Sequence, residues 1–131
     1  VGKKIVVDGS NIAYVERSSN GDPRISNIVA VRKALMSKGY DPIIVVDANL
    51  RYEIDDPHQL ESLLDRQEIR QAPAETDADY FVLELAKRYN SQIVSNDQFE
   101  RYKNHYSWIE ERRVPLMIVE GQVEFYGPKL K

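Results

Sequence analysis

No cysteine occurs in the 131 residues, which excludes disulfides, thiol nucleophiles and zinc–thiolate sites together. Only two histidines are present, too few for a histidine-rich zinc site. Any resident metal would therefore be a hard cation held by carboxylate oxygens. No apolar run approaches the roughly 20 residues that cross a bilayer, and no basic segment followed by an apolar one opens the chain. The expectation is a cytoplasmic protein with no membrane partner. Positive charge is not in excess either: 18 Lys and Arg face 21 Asp and Glu, a net −3. A uniformly basic nucleic-acid coat is thus excluded, although an acidic pocket with basic neighbours is not. What remains is 42 % hydrophobic and 30 % charged residues, the balance of one globular domain over 1–131. The sequence opens on Val1 rather than Met, as a piece of a longer protein would.

Short apolar runs alternate with amphipathic ones. Ile5-Val6-Val7 is stopped by Asp8-Gly9-Ser10-Asn11 and reads as a buried strand. Residues 16–24 are polar, with Gly21 and Pro23, and read as a loop. A helix is expected over Ile25–Lys38, ended by Gly39. Ile43–Val46 reads as a second strand ending at Asp47. Pro57 is placed to open a helix capped by Asp56, with Leu60, Leu63 and Leu64 as its stripe. An extended piece over 68–72 precedes the most regular helix, Asp77–Tyr89, for which Thr76 and Asp79 supply a capping box. Ile93-Val94 is a further strand closed by Ser95-Asn96-Asp97. Short helices are expected over 99–102 and 108–112, then strands over Val114–Val119 and Val123–Tyr126. Strands alternating with helices predict an α/β fold, a central parallel sheet with helices on both faces. Such sheets bind ligands at the carboxyl ends of their strands.

Three strand ends carry an aspartate: Asp8, Asp47 and Asp97. One such residue means little, because loops after strands are often polar. Several carboxylates on one sheet edge repel each other and require a cation or shared protons, and a Mg²⁺ or Mn²⁺ site is the economical explanation.

The motifs Val7-Asp8-Gly9-Ser10-Asn11-Ile12-Ala13, Asp77-Ala78-Asp79, Val94-Ser95-Asn96-Asp97, Trp108-Ile109-Glu110-Glu111-Arg112 and Tyr126-Gly127-Pro128-Lys129-Leu130 follow one another in order. Together they resemble the PIN-like NYN ribonuclease domain of the Zc3h12a (Regnase) type over nearly the whole chain. The resemblance implies a compact PIN-like α/β fold that cleaves single-stranded RNA with Mg²⁺ or Mn²⁺ held by acids, leaving a 5′ phosphate and a 3′ hydroxyl. Matched by motif, Asp8, Asp79 and Asp97 are the metal ligands and catalytic acids, and Asn11 is the hydrogen-bonding neighbour of Asp8. In eukaryotic members the helix begins with two adjacent acids. Here Ala78 precedes Asp79, which leaves Asp77 or Asp47 as the candidate fourth acid. Residues 77 and 79 cannot share one helix face, and Asp77 is expected to be the one pointing away.

Ser10, Ser95 and Asn96 lie beside the acids and are expected to contact substrate. Arg17, Arg24 and Arg51 follow the first two strands and suit phosphate contact, with a solvated loop charge as the plainer role. Arg101, Lys103, Arg112 and Arg113 alternate with Tyr102, His105, Tyr106 and Trp108, a pattern able to stack unpaired bases. The function expected is a metal-dependent endoribonuclease, with a homodimer as a further expectation. The alternatives are an inactive RNA-binding or partner-binding module of the same fold, and a phosphatase using an aspartyl nucleophile. The latter normally carries a second acid two residues on, where this chain has Ser10.

Overall fold

The computed structural model describes residues 2–131. Five strands, β1 (Lys3–Asp8), β2 (Tyr40–Val46), β3 (Arg70–Gln71), β4 (Ile93–Val94) and β5 (Arg113–Val114), form one sheet in the order β3-β2-β1-β4-β5. Every pairing is parallel. The chain runs outward from β1 to one edge, then returns to the other side of β1 for β4. The switch in strand order therefore falls beside β1, and a crevice opens where neighbouring connections leave in opposite directions.

Side chains alternate between the two faces of a strand, and both faces here are covered. Ile5, Val7, Ile44, Val46 and Val94 pack into one core with residues of α1 (Gly9–Ala13), α2 (Ile25–Ser37) and α3 (Pro57–Asp65). Val6, Ile43, Val45 and Ile93 pack into the other with α4 (Ala78–Tyr89) and α5 (Ile109–Arg112). Burial on both faces explains why these strands are unbroken apolar runs rather than alternating ones. Among the described residues, no helix is long and apolar enough to cross a membrane.

Local chemistry sets the helix ends. The Asp56 carboxylate accepts from the Gln59 N–H at 3.1 Å, with Pro57 at the first helical position. Gly39, at φ +91°, follows the end of α2, a left-handed position that glycine adopts at low cost.

Two expectations are corrected. The strand anticipated over Val114–Val119 is divided at Pro115, whose nitrogen has no hydrogen to donate. Val114 ends β5 in the parallel sheet, and β6 (Leu116–Val119) leaves to pair antiparallel with β7 (Gln122–Phe125). The two-residue turn between them has φ +50° at Glu120 and +78° at Gly121, the left-handed pair that suits a tight hairpin. The second correction concerns α4. Its N-cap is Asp77, whose Oδ1 accepts from the Asp79 N–H at 3.0 Å. Thr76 lies one residue too early to cap it.

Candidate metal centre

The crevice beside β1 is built from three turns. At the end of β1 the chain enters α1 without a linking residue, and Gly9 permits this. A Cβ there would lie 2.8 Å from the Val45 carbonyl oxygen and 2.8 Å from Val46 Cγ1. Asp8 is thereby held against β2 at the carboxyl end of the central strand, 5 % exposed. As the N-cap of α1 it is weakly used, since the Asn11 N–H approaches Oδ1 only to 3.5 Å.

The turn after β4 supplies the second wall. Ser95 is fully buried, at 0 % exposure. Its hydroxyl donates to Asp8 Oδ2 at 2.8 Å and accepts from the Asp97 N–H at 3.0 Å. Asp97 Oδ1 accepts from the Phe99 N–H at 2.7 Å. The Asn11 side-chain oxygen accepts from the Asn96 N–H at 2.9 Å, tying α1 to this turn. The Asn96 carboxamide reaches the other way, donating to the Leu116 carbonyl at 2.9 Å and accepting the Leu116 N–H at 2.8 Å.

The first turn of α4 supplies the third wall. Asp79 points into the crevice; Asp77, expected to point away, also borders it, with its carboxylate engaged by the Arg101 guanidinium at 2.5 Å and by the Tyr102 hydroxyl. One carboxylate oxygen each from Asp8, Asp79 and Asp97 lies within 4.8 Å of the others. The cleft around them has a volume of about 330 Å³, and Ser10, Asn11, Asp47 and Asp77 also line it.

The electrostatics follow from burial. Removal from water pushes the Asp8 carboxyl up to about 7, with Asp79 and Asp97 adding to the effect and the bonds from Ser95 and Asn11 opposing it. Asp79 is raised to about 6, first by burial and then by the charges of Asp97 and Asp77, against the opposing pull of Arg101. For Asp77 burial also opposes ionisation, but the Tyr102 hydroxyl, the Asp79 N–H and Arg101 outweigh it and hold the carboxyl below its ordinary value. Charges that are costly to hold together are suited to a cation, and an all-oxygen donor set fits Mg²⁺ or Mn²⁺.

The remaining residues singled out in the sequence lie elsewhere or have other partners. The Ser10 hydroxyl accepts from the Asp47 N–H at 2.7 Å, and Asp47 Oδ1 accepts from the Asn49 N–H at 2.7 Å. Asp47 thus faces the cleft but is not one of the three converging acids. Ser95, expected against substrate, is buried and committed to Asp8 and Asp97. The side chain of Asn96 is committed to Leu116. Arg17 lies 4.8 Å from the centre of the Tyr14 ring and donates to the Gly21 carbonyl at 3.2 Å. Arg24 lies 3.7 Å from Glu16, and Arg51 lies 2.9 Å from Glu61. None of these three arginines lines the acidic cleft. Arg101 lines an adjoining concavity and lies 4.0 Å from Asp79. Sequence reasoning noted the basic and aromatic stretch around Arg101 but not its position against the acids.

Two solved structures of nuclear proteinaceous RNase P 2 (PRORP2) from Arabidopsis thaliana share the fold. One has a TM-score of 0.76 at 20 % identity and covers 95 % of this chain and 29 % of its own. The other has a TM-score of 0.74 at 19 % identity and covers 98 % and 30 %. The chain therefore spans less than a third of the length of the solved structures it resembles. No curated protein matches it. The model of the Zc3h12a-like ribonuclease NYN domain matches residues 1–129, in agreement with the β3-β2-β1-β4-β5 sheet and the acids beside β1, and the chain belongs to that family.

Proposed function

We propose that the protein is a divalent-metal-dependent endoribonuclease that hydrolyses phosphodiesters of single-stranded RNA. The observation that carries this reading is the convergence of Asp8, Asp79 and Asp97 from three separate elements to within 4.8 Å. Asp8, Asp79 and Asp97 would hold Mg²⁺ or Mn²⁺. When bound, such a cation supplies positive charge for the phosphoryl oxygens and makes a water easier to deprotonate. In the net reaction a water oxygen bonds to phosphorus as the bond to the 3′ oxygen breaks. A water proton ends on that 3′ oxygen, and the products are a 5′ phosphate and a 3′ hydroxyl.

The chain's own residues fix the geometry. Ser95 holds Asp8 through Oδ2 and the Asp97 backbone through its N–H, so two acids share one buried support. Asn11 joins α1 to the turn that carries Asp97. Asp77, occupied by Arg101 and Tyr102, caps α4 and so positions Asp79 at its first turn. A side chain whose partners are preset loses little freedom when the site fills, which is the form that preorganised electrostatic stabilisation takes.

The test is incubation of end-labelled RNA, single- and double-stranded, with Mn²⁺, Mg²⁺ or EDTA. Metal-stimulated internal cleavage of the single strand, with 5′-phosphorylated products by mass spectrometry, is expected. Binding without metal-stimulated cleavage would instead select the inactive RNA-binding module.

A further inference from the structure

The acidic cleft continues on one side into a second concavity of about 390 Å³. Asp79 and Asp97 form the shared border, and Gln98, Phe99, Glu100, Arg101 and Tyr102 form the rest of the wall, with Glu100 paired to Lys103. Its chemistry differs from that of the cleft. The Arg101 guanidinium lies 5.3 Å from the centre of the Tyr102 ring, and its Nη2 lies 2.5 Å from Asp77. The Tyr102 hydroxyl donates to the same Asp77 carboxylate. Arg101 is thus held at its end by a charge and has a ring beside it, yet its side chain remains 71 % exposed. Tyr80 extends the aromatic surface, with its ring centre 6.3 Å from that of Tyr102.

A counter-ion for Asp77 needs only a positive charge, which lysine supplies equally well. A ring beneath the cation favours a flat, delocalised one. An exposed guanidinium anchored at one end has room for a further partner, and guanidinium planes stack on nucleobases. Only a base released from a duplex can take that place, which agrees with a single-stranded substrate.

We propose that Arg101, backed by Tyr102 and anchored by Asp77, is the stacking platform for one unpaired base adjoining the phosphodiester at Asp8, Asp79 and Asp97. This inference rests on the ribonuclease reading and assigns that site a base-binding subsite.

The test uses a fluorescein-labelled single-stranded oligouridylate and a set of the same RNA carrying one abasic nucleotide at successive positions. Binding is measured by anisotropy with Ca²⁺ replacing Mg²⁺ and Mn²⁺, for wild type, Arg101→Lys and Tyr80→Ala. Wild type should lose about 5-fold or more in affinity at one abasic position, the scale of a single stacked base. Arg101→Lys should lose a similar factor on intact RNA, keep the wild-type salt slope, and be nearly indifferent to that abasic position. Tyr80→Ala should weaken binding of the intact RNA and leave the cleavage position in Mn²⁺ unchanged. Equal losses for wild type and Arg101→Lys at every abasic position would overturn the platform. If wild type cleaves the RNA with Mn²⁺ but shows no such coupling, the subsite fails and the nuclease reading stands. If wild type neither binds nor cleaves, both fail.

Discussion

Burial, with the neighbouring charges of Asp79 and Asp97, makes Asp8 costly to ionise in the folded protein. In the unfolded chain it ionises at its ordinary 3.8, and in the folded protein at about 7. Between those values the folded state binds the extra proton, so this group's contribution to stability falls as pH rises, and it is level above the folded value. Asp8→Asn keeps an oxygen for the Ser95 hydroxyl and removes the charge. Without metal, the mutant is therefore expected to melt at or above the wild-type temperature at pH 8, with the difference closing towards pH 5. Mn²⁺ at a hundredfold excess over its Kd should stabilise wild type by about 2.7 kcal/mol and the mutant far less. Melting curves at the two pH values, with and without Mn²⁺, check both statements. An Asp8 that merely capped α1 would give a mutant destabilised without metal, but the 3.5 Å separation from the Asn11 N–H makes that cap weak. Asp97→Asn can still accept the Phe99 N–H, so its fold should persist while cleavage at saturating Mn²⁺ falls by at least about 100-fold. These acids were legible in the sequence because polar residues ending apolar runs stand out. The support beneath them was not: Ser95 was expected against substrate, and only the fold shows that its hydroxyl bridges Asp8 and Asp97.

At the scale of elements, α4 and the β6–β7 ribbon decide how the site is held. Asp77 caps α4 and is also the anchor for Arg101 and Tyr102. Asp77→Ala should cost about 1 kcal/mol of stability in urea denaturation, the ordinary value of an N-cap, and should preserve most of the Mn²⁺-induced stabilisation. Loss of that stabilisation would instead make Asp77 a ligand. The sequence placed the helix correctly and its cap one residue early, because Thr76 and Asp77 are both competent caps and backbone geometry chooses between them. The same limit applies at Pro115. The run from Val114 to Val119 is apolar throughout, with Val114, Ile118 and Val119 β-branched, so composition alone gives one strand. What separates β5 from β6 is a proline together with the Asn96 carboxamide, which occupies the N–H and C=O of Leu116 as a neighbouring strand would. Asn96→Ala removes both bonds and should cost about 1–3 kcal/mol, with faster hydrogen exchange across β6 and β7. Unaltered exchange there would mean that the ribbon is held by Leu116 and Ile118 in the core.

Over the whole molecule, a net charge of −3 leaves little general attraction for a polyanion, so grip on RNA must come from particular cations. The fold was legible as a whole because alternating strand and helix patterns leave few topologies. The arginines show where that legibility ends, since a sequence gives their positions but not their partners. Arg24 was expected to meet phosphate, and in the fold it lies 3.7 Å from Glu16, whose Oε2 accepts the Glu120 N–H at 3.0 Å. If Arg24 meets RNA, it must exchange that carboxylate for a phosphate. Glu16→Gln retains an acceptor for Glu120 and removes the competing charge. The variant should bind single-stranded RNA more tightly at low salt, with a salt slope steeper by up to about 0.7, the contribution of one phosphate contact. Arg24→Ala should abolish the gain when combined with it. Titration of a labelled single strand over a range of KCl concentrations measures both slopes. An unchanged slope in Glu16→Gln would place Arg24 outside the RNA path and leave the cations beside the cleft, Arg101 foremost, to hold the strand.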